Sequence, residues 1–108
     1  MKTNIHIGGR KAVCPDEVVL LIANENYTQV VCTDGTKLLV ATTLKELERR
    51  FCRNPYFVRT HKSFVVNLQY ISNYQSLEDN FIEMVNDTKV TVSRRRKQVL
   101  QERIFNFK

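Results

Sequence analysis

No apolar stretch in this 108-residue chain exceeds six residues, and that one occupies positions 18–23, whereas a membrane-spanning helix needs about twenty. A transmembrane segment is excluded on that count. At the N-terminus, Lys2 is followed by Thr3, Asn4, His6, Gly8, Gly9 and Arg10, which leaves no apolar core for a secretory signal. The reading is therefore a cytosolic, cytoplasmic protein. Cysteine is scarce: Cys14, Cys32 and Cys52 stand 18 and 20 residues apart beside two histidines, His6 and His61. An odd number without a close pair matches neither a disulfide framework nor a zinc module. The thiols read as reduced, and no metal or cofactor is expected. No internal repeat, low-complexity stretch or linker marks a boundary, so one domain over residues 1–108 is the expectation.

Acidic side chains are the other shortage. Seventeen Lys and Arg face eleven Asp and Glu, a net charge of +6. Residues 1–50 carry seven basic and six acidic side chains; residues 51–108 carry ten and five. No acid lies between Glu48 and Glu78, a window that holds Arg49, Arg50, Arg53, Arg59 and Lys62. A second acid-free window, 88–101, holds Lys89, Arg94, Arg95, Arg96 and Lys97. Two separate basic windows in a chain that is 43% hydrophobic point to a folded surface that meets an anionic partner.

The local signals are mainly those of strands. Gly8-Gly9 and Asp34-Gly35 each separate two strand-like runs and predict hairpins; Asn24-Glu25-Asn26 breaks the chain between 18–23 and 27–33. From Thr43 the period changes, with Leu44, Leu47 and Phe51 on one helical face and the spacing of a capping box at 43–46. Strand character returns at 56–58, 64–66, 73–77, 81–85 and 89–92. Ser93 is placed to cap a C-terminal helix that carries Val99, Leu100 and Ile104. The fold class is mainly β, with one short internal helix and a short C-terminal helix, and no helix-turn-helix is visible.

Catalysis lacks its parts. His61 and Ser63 have no nearby carboxylate in sequence to orient the histidine, and no Gly-rich nucleophile turn is present, so no catalytic residue is assigned and the chain reads as a non-enzyme. The same segment, Arg59-Thr60-His61-Lys62-Ser63, is all hydrogen-bonding and free of acid, which suits phosphate and base-edge contacts. Arg94, Arg95 and Arg96 in the first turn of a helix oppose its dipole and repel one another. A nearby phosphate reverses that sign, because backbone N–H groups, dipole and guanidinium groups then attract one anion. Asn67, between Val66 and Leu68, reads as a residue that satisfies backbone groups.

These segments, Asn26-Tyr27, Thr43-Leu44-Lys45-Glu46-Leu47, the run from Arg59 to Asn67 and Val92-Ser93-Arg94-Arg95, stand in an order and spacing similar to the LytTR-type DNA-binding domain, over positions 5–100. The resemblance implies an elongated fold of antiparallel strands found in bacterial transcription regulators, which reads double-stranded DNA with loops. It implies three contacting loops: Asn26, Tyr27 and Thr28; Arg59, His61, Lys62 and Ser63; Ser93, Arg94, Arg95 and Arg96. Lys62 and Arg94 become the groove contacts, with Arg94 in a major groove, and Ser63, Arg95 and Arg96 the phosphate contacts. The resemblance further implies paired short repeats on one face of a bent duplex, occupied by a homodimer on DNA. Two positions depart from the family: Lys62 stands where Arg is frequent and cannot make a bidentate pair, and Ile22 replaces a frequent acid. The response-regulator receiver domain is absent from these 108 residues, which implies a signalling partner in trans. The alternative reading is a protein-interaction module of a two-component signalling system that retains the fold without specific DNA binding.

Overall fold

The apolar run at 18–23 becomes the central strand of the molecule. The computed structural model describes residues 3–107; Met1, Lys2 and Lys108, and with them the start of the reading of the N-terminus, lie outside the described residues. In chain order the elements are β1 (Ile5–Gly8), β2 (Lys11–Val13), β3 (Val18–Asn24), β4 (Tyr27–Cys32), β5 (Lys37–Val40), α1 (Leu44–Arg50), β6 (Phe57–His61), β7 (Phe64–Asn67), β8 (Ile71–Asn73), β9 (Phe81–Met84), β10 (Lys89–Thr91) and α2 (Arg94–Phe107). All strand pairs are antiparallel. They form a hairpin β1-β2, a three-stranded sheet β10-β9-β8 and a five-stranded sheet in the order β5-β4-β3-β7-β6.

Each face of the five-stranded sheet carries its own core. On one face, Val18, Leu21, Val30 and Val65 pack with Ile7, Leu44, Leu47 and Phe51, so the β1-β2 hairpin and α1 cover it. On the other, Leu20, Val31, Val58 and Val66 pack with Ile82, Met84, Val90, Leu100 and Ile104, which brings in the small sheet and α2. A strand covered on both faces reads as a continuous apolar run rather than an alternating one. That explains residues 18–23. A register shift between Val18 and Leu20 lets Val19 and Leu20 join the same cluster, as an inserted residue does at a bulge. Burial of each such side chain contributes roughly 1.5–3 kcal/mol.

The short elements follow from identifiable residues. Asp34 Oδ1 accepts the Thr36 N–H at 2.9 Å, and Gly35 takes φ 90°; together they close the β4-β5 turn. Thr43 Oγ1 accepts the Glu46 N–H at 3.2 Å and caps α1. The second half of the capping box does not form, because the Glu46 carboxylate takes Arg49 and Arg50 at 2.5 and 2.9 Å. Buried Asn67 donates to the Val18 carbonyl and accepts from the Gln69 N–H, both at 2.9 Å, in the backbone-satisfying role its position suggested.

Two local expectations are corrected. Residues 73–77 are not a strand: pairing stops at Asn73, whose Oδ1 accepts the Gln75 N–H at 2.8 Å and turns the chain into a 3-10 segment, Gln75–Asp79. Val99 is half exposed and outside the core, whereas Leu100 and Ile104 are buried. The three cysteines are free thiols, with Cys14 and Cys32 partly buried and Cys52 exposed. Among the described residues no helix is long and apolar enough to cross a membrane, and no group of three or more His, Cys, Asp or Glu is placed to hold a metal ion.

Candidate nucleic-acid interface

Because β3 is antiparallel to both neighbours, the β3-β4 turn and the β6-β7 turn emerge at one end of the sheet, as the pairings Asn24 with Tyr27 and Ile22 with Phe64 require. The Ala23 N–H donates to the Ser63 carbonyl at 2.8 Å, and the Ser93 N–H to the Thr60 carbonyl at 2.8 Å. Three segments far apart in sequence are thus tied into one rim. Within 24–28, 59–63 and 93–97 the single acidic residue is Glu25.

In the first segment Glu25 takes φ 56° to close the turn, and Asn26 and Tyr27 are exposed, Tyr27 by 49%. Thr28 is not on the surface. It is fully buried, and its hydroxyl donates to the Thr42 carbonyl at 2.7 Å. Its expected contact role is therefore corrected to a scaffold role, since the strand period turns the residue after an outward Tyr27 into the core. The Thr42 hydroxyl donates in turn to the Ile7 carbonyl at 2.5 Å. A Cβ on Gly8 would meet that hydroxyl oxygen at 2.9 Å, so the close approach of β1 requires glycine.

In the second segment Arg59 lies within β6 and its side chain is only 14% exposed. Its Nε donates to the His61 carbonyl at 2.7 Å, Nη2 to the Lys62 carbonyl at 2.7 Å and Nη1 to Glu48 Oε1 at 2.6 Å. Arg59, expected among the contacts, is spent on its own loop. Lys62 is exposed, while His61 and Ser63 are half-buried. The His61–Ser63 contact is a turn bond, not a nucleophile–base pair: His61 Nδ1 accepts the Ser63 backbone N–H at 3.1 Å. Nε2 therefore carries the proton of the neutral ring.

In the third segment Arg94 and Arg95 are exposed and Arg96 is half-buried. Arg96 lines, with Glu48 and Arg59, a cavity of about 280 Å³ between the two helices. The expected Ser93 cap is corrected: its Oγ is buried without a hydrogen-bond partner, and the residue is fixed by its backbone instead, the Thr60 bond above and its carbonyl accepting the Arg96 N–H at 3.0 Å.

The exposed members brought together are Asn26, Tyr27, Lys62, Arg94 and Arg95, a cationic rim with one aromatic ring. Two residues with a part in this geometry escaped sequence reading, and a third, Thr60, was read only as one member of a polar segment. Glu48 and Thr42 bond only across tertiary distance, and buried Thr60 donates its hydroxyl to the Thr91 carbonyl at 3.2 Å, which no local pattern signals.

No curated protein sequence matches the chain. Among solved structures it is similar to the LytTr DNA-binding domain of a putative methyl-accepting/DNA response regulator from Bacillus cereus. The TM-score is 0.72 and the identity 21%, over 95% of each chain, a likeness of fold. The family profile described as LytTr DNA-binding domain matches residues 9–105, nearly the whole sequence and all three rim segments, and on that match the chain belongs to the LytTR DNA-binding domain family.

Proposed function

We propose that this chain binds double-stranded DNA sequence-specifically through the rim and acts as a bacterial transcription regulator. The observation that carries the reading is the convergence of Lys62, Arg94 and Arg95 with Asn26 and Tyr27 at one end of the sheet, held by the Ala23–Ser63 and Ser93–Thr60 backbone bonds. Lys62 and Arg94 are the base-edge candidates, with Arg94 capable of a bidentate contact to guanine. Ser63, His61 and Arg95 are suited to phosphates, at the positive end of the α2 dipole for Arg95. Two copies on paired short repeats would extend this contact along one face of a bent duplex.

Selection of bound sequences from a random duplex library tests this directly. An enriched, spaced pair of short repeats is the expected result, with log K falling against log salt by about 0.9 per neutralised phosphate. Recovery of no duplex, or binding that hardly changes with salt, overturns it. The alternative, a protein-interaction module with the same fold, draws on Phe105, which is 82% exposed beside an apolar groove lined by Tyr74, Leu77 and Ile104. Stoichiometric retention of one protein partner by a chain that retains no duplex favours it.

A further inference from the structure

We propose that Arg59 and Glu48 are positioning residues that hold the 61–63 turn in its binding shape; the inference rests on the reading of that turn as a DNA contact. A register shift between Arg59 and His61 interrupts the β6-β7 ladder, and the two carbonyls that follow, of His61 and Lys62, are the ones the Arg59 guanidinium takes at 2.7 Å each. One rigid planar group thereby fixes two consecutive peptide units of the turn. An ammonium group has no such fork.

Glu48 supplies the third anchor, 2.6 Å from Nη1. It stands on α1, which is packed on the sheet through Leu44 and Leu47. The turn is therefore referenced to a helix packed on the sheet as well as to its own hairpin. The first turn is referenced to the same stretch of chain, through the Thr28–Thr42 bond, so residues 42–48 fix two turns of the rim at once. With Lys62 carried on a backbone already ordered, less conformational entropy is lost when DNA docks.

The charge of Glu48 makes the proposal testable by sign. Electrostatics alone predicts that removing a carboxylate from a DNA-binding protein strengthens binding to the polyanion; loss of a positioning anchor weakens it. Glu48→Ala, Glu48→Gln, Arg59→Lys and Arg95→Ala, each in the 108-residue chain, are compared with the parent chain on a duplex selected by that parent. Binding is read across a salt series, and thermal melts of each variant verify folding. Glu48→Ala and Arg59→Lys are expected to weaken binding about three- to tenfold with an unchanged salt slope. Glu48→Gln, which keeps an acceptor oxygen, restores it. Arg95→Ala, at a phosphate contact, lowers the slope by about 0.9. Binding by Glu48→Ala as tight as that of the parent, or by Arg59→Lys indistinguishable from it, overturns the positioning role alone. A parent that selects no duplex takes down the DNA reading, and this inference with it.

Discussion

The Ser93 N–H donates to the Thr60 carbonyl at 2.8 Å, so the start of α2 and the end of β6 are one mechanical piece. The Thr60 hydroxyl on the Thr91 carbonyl at 3.2 Å reinforces the same junction from the side chain. Arg94 and Lys62 are thereby presented at a fixed spacing rather than on two independent loops. Preorganisation of this kind raises affinity by reducing what must be ordered on binding.

Arg94→Ala is expected to weaken binding to a selected site by about 1–3 kcal/mol and to flatten the ratio between that site and a scrambled duplex. Competition binding with both duplexes checks this. Equal losses on the two would reassign Arg94 to a phosphate.

Thr28→Val removes a buried hydroxyl and keeps the shape, leaving the Thr42 carbonyl without its 2.7 Å donor. A loss of about 1–2 kcal/mol in chemical denaturation is expected, with the salt slope of DNA binding unaltered. A reduced slope would return Thr28 to the interface.

Thr43→Ala should cost about 1 kcal/mol of stability, since the Glu46 N–H loses the hydroxyl oxygen that caps α1. Thr43→Asn keeps an acceptor and should recover most of it, and urea midpoints of the two variants decide the matter.

Acid weakens the fold through Glu46. Hydrogen bonds from Arg49 first, then Arg50, lower its pKa from 4.5 to about 2. A carboxyl group with a depressed folded pKa contributes stability that is fully present above the unfolded value and is lost as pH falls through the folded one. The contribution should therefore fade between pH 4.5 and about 2. Glu46→Gln should flatten that part of the stability–pH curve, and an unchanged curve would show that these exposed pairs contribute nothing.

Much of the fold was legible because its signals are local. Asp34-Gly35, Thr43 and the helical spacing of Leu44, Leu47 and Phe51 depend only on near neighbours, and each is found where the pattern puts it. Residues 73–77 misled because Glu78-Asp79-Asn80 reads as a turn with a strand on either side, while Asn73 offers its own side chain to the backbone two residues on and turns the chain. The rim was legible as a set of segments and less so as a set of roles. Arg59 and Lys62 look alike in sequence, and only the packing of α1 sets Glu48 against Arg59 and leaves Lys62 exposed. Thr28 could have been assigned inward from strand alternation beside Tyr27, since one of two adjacent strand positions faces the core.

The double-sided burial of β3 has a dynamic corollary. Val18, Leu21 and Leu20 belong to two cores on opposite faces of the sheet, so exposing the mid-strand amides of β3 requires both to open, and these amides should be the slowest in the molecule to exchange with solvent. The same strand ends, a few residues later, in the turn that carries Asn26 and Tyr27. The rim thus stands at the end of the strand that should open last, so the turn that carries Asn26 and Tyr27 keeps its anchor while less protected parts of the molecule open and close.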